Sequence, residues 1–173
     1  MVGTDVTRRA FKVGGGTPDT NASLARALEL VQTGQTREAE IILTKLAKIA
    51  PENADIFGFH GTLKVQAGKH TGAVPLLKRA LRLGDGNPTT HGSLGVAYVG
   101  LSKPDKAKHH YIRALELDIR ALELDPGQAR THVNLGALLW QEGEHSEAVE
   151  HYAQAIALEP EFSEAYVYLG RAM

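Results

Sequence analysis

Eight histidines are the residues of this sequence best suited to chemistry. Zinc and metalloprotease sites need imidazoles one helical turn apart, as in an i, i+4 pair or an HExxH run. His109, His110, His145 and His151 offer neither spacing. Without cysteine there are no disulfides, thiolate zinc sites or thiol nucleophiles. No Ser, His and Asp set stands out, and Glu144, Glu147 and Glu150 have the spacing of a solvated helix face. The Gly-rich "VGGGTPDTN" lacks the lysine and preceding strand of a phosphate loop, and "GVAYVGLSK" places its lysine after the serine. The expectation is therefore no catalytic residue, no metal and no cofactor.

The elements that would position a site follow from composition. With 173 residues, 43% hydrophobic and 23% charged, the chain can bury the core of one domain. Nineteen Lys and Arg oppose twenty Asp and Glu, for a net charge of -1, which favours neither nucleic acid nor an acidic membrane surface. No run approaches the roughly 18 apolar residues of a membrane span. "TRRAFK" resembles a twin-arginine signal but is followed by glycines instead of an apolar stretch. Cytoplasm is the default compartment, and residues 1–19 are expected to be a flexible arm.

Small residues recur at a fixed step. Gly61 and Gly95 are 34 apart, as are Gly136 and Gly170, and Ala39, Ala73 and Ala107 keep the same interval. From Gly95 to Gly136, and from Ala107 to Ala148, the step is 41. Seven residues have entered there, where "IRALELDIRALELD", Ile112 to Asp125, repeats a heptad without change.

The stretch Ala129 to Phe162 carries Leu135-Gly136, Leu139, Ala148, Tyr152, Ala155 and Pro160, and at this spacing it resembles the tetratricopeptide repeat. Pro88 to Gln128 carries Leu94-Gly95, Tyr98, Ala107, Tyr111 and Ala114, with Pro126 seven residues late. Residues 54–87 keep Gly61, Ala73 and Ala80, and residues 20–53 keep Ala39 and Pro51 with Ala27 in the glycine place and Leu46 in the alanine place. "SEAYVYLGRAM", residues 163–173, begins a fifth unit. The resemblance implies an all-α solenoid of antiparallel helix pairs. Helical spacing of Leu135, Leu138 and Leu139, then of Val149, Tyr152 and Ile156, points the same way, with turns at Gly34, Gly68 and Gly143. His91 and His132 fall where the family usually has an aromatic, so packing explains them.

In this family the first helix of each unit lines a concave groove that binds proteins or peptides. The matching places are Leu24, Leu28 and Val31; Asp55, Gly58, Thr62 and Val65; Thr89, Gly92, Ser93, Val96 and Val99; and Arg130, Val133, Asn134, Ala137 and Trp140. Leu24, Leu28, Phe59 and Thr89 stand where a carboxylate clamp of Lys, Asn and Arg would be, so the resemblance implies no such clamp. Arg130 and Asn134 could orient a peptide backbone, and Trp140 could anchor a ligand side chain or simply pack at the end of its helix.

Nothing in "DI" stops a helix at Asp118 as "DP" would, so a helix over roughly 105–124 is expected. Its stripe of Ile112, Leu115, Ile119 and Leu122, with Glu116 paired to Arg120, would carry the fourth unit about two turns past its usual dock. That displacement would open a gap for self-association or exchange between copies; the competing expectation is that one heptad loops out. A second reading of the whole is the recognition arm of a larger enzyme such as a glycosyltransferase, suggested by "LDPGQARTHVNLG" and by an end at Met173 inside a unit.

Overall fold

A computed structural model describes residues 17–84, 86–121 and 126–172, with residues 18, 118–121 and 126–127 as backbone. The described residues form helices α1 Pro18–Gln32, α2 Thr36–Ile49, α3 Ala54–Gln66, α4 His70–Arg82, α5 Pro88–Gly100, α6 Pro104–Ala121, α7 Pro126–Glu142, α8 His145–Leu158 and α9 Ser163–Ala172, with no strand among them. Successive helices pack in pairs, α1 with α2, α3 with α4, α5 with α6 and α7 with α8, and each pair stacks on the next. The fold is an all-α solenoid. The arm expected over 1–19 lies mostly outside the described residues, and α1 begins at Pro18.

Local chemistry sets the boundaries. Asn53 and Asn87, one repeat apart, cap α3 and α5 by accepting from the Ile56 and Thr89 amides. Each pair turns at one grid position, where Gly34, Gly68, Ser102 and Gly143 have positive φ. That angle lets the following amide reach back to a carbonyl of the last helical turn, as Gln35 does to Leu30 and Glu144 to Leu139. The glycines at 61, 95 and 136 serve close approach instead. A Cβ there would strike the side chains of Leu77, Tyr111 and Tyr152, each sixteen residues downstream on the partner helix.

The seven extra residues are divided. Helix α6 has 18 residues where α2 and α8 have 14, and α7 has 17 where α3 and α5 have 13. Between the described ends of α6 and α7 lie residues 122–125, which are outside the described residues. Each arm of the hairpin has therefore gained about one turn of 3.6 residues. Two equal extensions cancel at the docked ends of the arms. On the regular junction, Glu40 of α2 accepts from Lys64 and, at 2.9 Å, from Lys69. On the lengthened junction Lys108, two repeats beyond Glu40, donates to Glu142 at 3.0 Å, within the span of α7 and the following turn that matches 64–69.

This corrects the expected two-turn displacement. Helix α6 does run past Asp118, but unit four keeps its dock on unit three, and one core runs from Leu94 through Tyr111, Leu115, Ala129 and Val133 to Tyr152 without a break. The physical reason is that a heptad inserted at a hairpin tip can be shared, one turn per arm, which preserves both phase and register. The first heptad, 112–118, lies wholly within α6, which is continuous to Ala121, and residues 122–125 of the second lie outside the described residues. Leu115 is buried and Ile112 is 42% exposed, whereas the Ile119 side chain and Leu122 lie outside the described residues. Glu116 pairs with Arg113 at 2.8 Å; the Arg120 side chain also lies outside the described residues.

Candidate functional site

First helices touch one another along the stack, α3 with α5, α5 with α7 and α7 with α9. Their contact makes one inner surface. Small residues allow it: a Cβ at Gly92 would meet Thr131 Oγ1 at 3.7 Å, and Thr62 Oγ1 lies 2.9 Å from Ser93 Oγ across α3 and α5.

The expected groove residues divide by burial. Leu24, Leu28, Val65 and Val133 are at most 9% exposed and belong to the core clusters, which corrects the expectation that they contact a ligand: in a tight helix pair these positions face the neighbouring helix. Asp55, Thr62, Thr89, Val96, Asn134, Ala137 and Trp140 are half-buried, and Val99 is 47% exposed. Trp140 tilts against His145, with ring centroids 4.1 Å apart, and packs on the core, which favours its structural role. Arg130 is engaged, its guanidinium over the Phe162 ring and 3.9 Å from Glu164. Among the described residues Asn134 has no hydrogen-bond partner, so its amide is available to a peptide backbone.

Two contacts escaped the sequence reading because they cross between helices. His91 Nδ1 lies 2.9 Å from His110 Nδ1, and His132 Nδ1 lies 2.8 Å from His151 Nδ1. Both pairs have a spacing of nineteen residues, and 41 residues separate one pair from the other. Burial holds His110 and His132 at about 4 and lowers His91 and His151 as well, because a charged imidazole loses hydration there. The signal was the shared 41-residue step of His91 to His132 and His110 to His151. Among the described residues no group of three or more His, Asp or Glu is placed to hold a metal ion.

His60 is different in kind. It is 5% exposed, and neither ring nitrogen has a hydrogen-bond partner. A buried imidazole N–H without an acceptor costs on the order of 1–3 kcal/mol. One repeat later the same place holds Leu94, fully buried. His60→Leu is therefore expected to raise unfolding stability at pH 7 by about 1–2 kcal/mol, measured by urea titration; a loss of stability would show that His60 has a partner.

Tetratricopeptide repeat family profiles match residues 24–88 and 87–160. The chain belongs to the tetratricopeptide repeat family. This repeat accounts for the stacked helix pairs and for the 34-residue step. No curated protein matches the chain at a significant level. Among solved structures it is similar to the MamA protein, with TM-score 0.72 and 24% identity over 88% of this chain and 80% of that one. It is also similar to pilF of Pseudomonas aeruginosa, with TM-score 0.76 and 19% identity over 88% of this chain and 67% of the other. YrrB, described as a TPR protein with an unusual peptide-binding site, aligns with TM-score 0.67 and 23% identity over 87% of this chain and 74% of its own. At these identities the tetratricopeptide fold is what is shared. Among the described residues no helix is long and apolar enough to cross a membrane.

Proposed function

We propose that this tetratricopeptide chain is a non-catalytic protein-interaction scaffold that binds an extended or helical peptide on the surface formed by its first helices. The observation that carries the reading is the continuity of that surface, from α3 through α9, with mostly small uncharged residues at its open positions, Thr62, Thr89, Val96, Val99, Asn134 and Ala137, beside the charged Asp55 and Arg130. Such a surface recognises a partner by shape, apolar contact and backbone hydrogen bonds. The peptide-binding site of YrrB, a protein of the same fold, agrees with this reading. The same surface would serve equally as the recognition arm of a larger enzyme. Self-association through the lengthened third unit retains one support, the exposed side chain of Ile112; the gap once expected to drive it is closed.

The test is selection of linear peptides on the full chain, followed by affinity measurement. Because few charges line the surface, affinity is expected to change less than about threefold between 50 and 500 mM salt, a weak dependence for a contact that does not rest on ion pairs. Asn134→Ala and Val99→Asp are each expected to weaken binding by about tenfold or more, roughly 1.4 kcal/mol, with unchanged helical circular dichroism. Trp140→Ala separates anchor from packing: loss of helicity or of thermal stability assigns it to the core. A steep salt dependence, or binding indifferent to Asn134 and Val99, contradicts the proposal.

A further inference from the structure

The two histidine pairs are built alike. In each, one ring belongs to the first helix of a unit and the other to its second, α5 with α6 and α7 with α8. Ring centroids are 5.1 and 5.0 Å apart, longer than the nitrogen separations by nearly twice the distance from a ring's centre to its nitrogen. The two nitrogens of each pair therefore point at one another. That is the geometry of an N–H···N bond, whereas two imidazoles sharing a metal ion would converge on a third point with their centroids closer. The protein supplies its own comparison. One repeat before His91 and His110 stand Phe57, buried under the Arg79 guanidinium, and Leu76, half-buried, so the second unit has no imidazole at either place.

We propose that units three and four carry a pair of proton latches, each closed near neutrality by one Nδ1–H···Nδ1 bond between its two histidines and released in acid. In the closed state one ring carries its proton on Nδ1 and donates it, and the other carries its proton on Nε2 and accepts at Nδ1. A first proton from solvent goes to the free Nε2 of the donor ring and leaves the bond in place, now charge-assisted. A second proton goes to the accepting Nδ1. That step removes the lone pair and sets two N–H groups of two cations against each other at hydrogen-bond distance, which forces the helices of the unit apart.

The surroundings of the two latches differ. Around His91 and His110 stand Arg113 and His109 on α6 and Lys78 from α4, with Lys106 near the Tyr98 ring that stacks on His110. These cations oppose protonation. Around His132 and His151 stand Glu147 and Glu150 on α8, which favour it, while Glu164 of α9 is engaged with Arg130 and Lys108 of α6 with Glu142. The fourth unit therefore opens at higher pH than the third. Burial lowers all four rings, so the unfolded chain, with ordinary histidines near 6.5, binds more protons than the folded chain below that pH. Stability is full above about 6.5 and falls as pH drops toward about 4.

The experiment compares the full chain carrying His60→Leu, which removes the other buried imidazole, with the same chain carrying also His91→Phe, His110→Leu, His132→Phe and His151→Leu. Native-state hydrogen exchange, corrected for the intrinsic pH dependence, is read at pH 7 and pH 4.5. In the histidine chain the opening of α5–α8 relative to α1–α4 is expected to rise at least about tenfold in acid, the equivalent of one unit of pKa difference. In the four-substituted chain it is expected to stay flat. An equal rise in both chains overturns the proposal. Imidazole nitrogen spectra of the histidine chain at pH 7 keep the question answerable if the substituted chain does not fold. One Nδ1–H and one unprotonated Nδ1 per pair support the latch, and four rings all protonated at Nε2, titrating near 6.5, overturn it.

Discussion

Gly95→Val is expected to destabilise the chain by about 3 kcal/mol, while Gly170→Val, at the equivalent position two grid steps later, is expected to change stability by less than about 0.5 kcal/mol. Glycine and valine differ little in helix propensity relative to this gap, so the contrast isolates packing. At Gly95 a side chain would enter the ring of Tyr111, which is 2% exposed and cannot move without opening the contact between α5 and α6. At Gly170 nothing lies within 4 Å of where a Cβ would be. Urea unfolding of the two variants beside the parent chain reads the difference directly. Equal losses at both positions would mean that the grid glycines are kept for backbone freedom and not for close approach.

The fold was largely legible because each repeat writes its own geometry. A glycine or alanine every 34 residues marks where two helices cross, and that constraint survives in sequence because any larger side chain overpacks the crossing. The turns were legible at Gly34, Gly68 and Gly143, and Ser102 shows that the same turn also forms without glycine. Burial of the groove residues was less legible. A helical position on the inner side can face the ligand or the next helix, and about one residue of rotation decides between them; Leu28 and Val133 fell to the helix, Thr62 and Asn134 to the surface.

Two features were missed for one reason. Histidine spacing along single helices does not show that His91 meets His110, and His132 meets His151, across a turn. The phase of the heptad along α6 likewise does not show that α7 is lengthened with it. Pairing across the hairpin is a tertiary property, and no local period announces it.

The function proposed here rests on an inner surface that stays unbroken across the lengthened hairpin. The chain has no cysteine, so Thr71→Cys and Gln154→Cys, both at exposed positions on α4 and α8, accept a pair of spin labels without competition. Their separation is to be measured by double electron–electron resonance in the full chain and after deletion of residues 119–125. If one turn has been added to each arm, deletion shortens both arms together and the distance changes by less than about 3 Å. If instead the insertion carries unit four along the axis of α6, deletion moves the labels by about 10 Å, seven residues of helical rise, and the unbroken surface is contradicted.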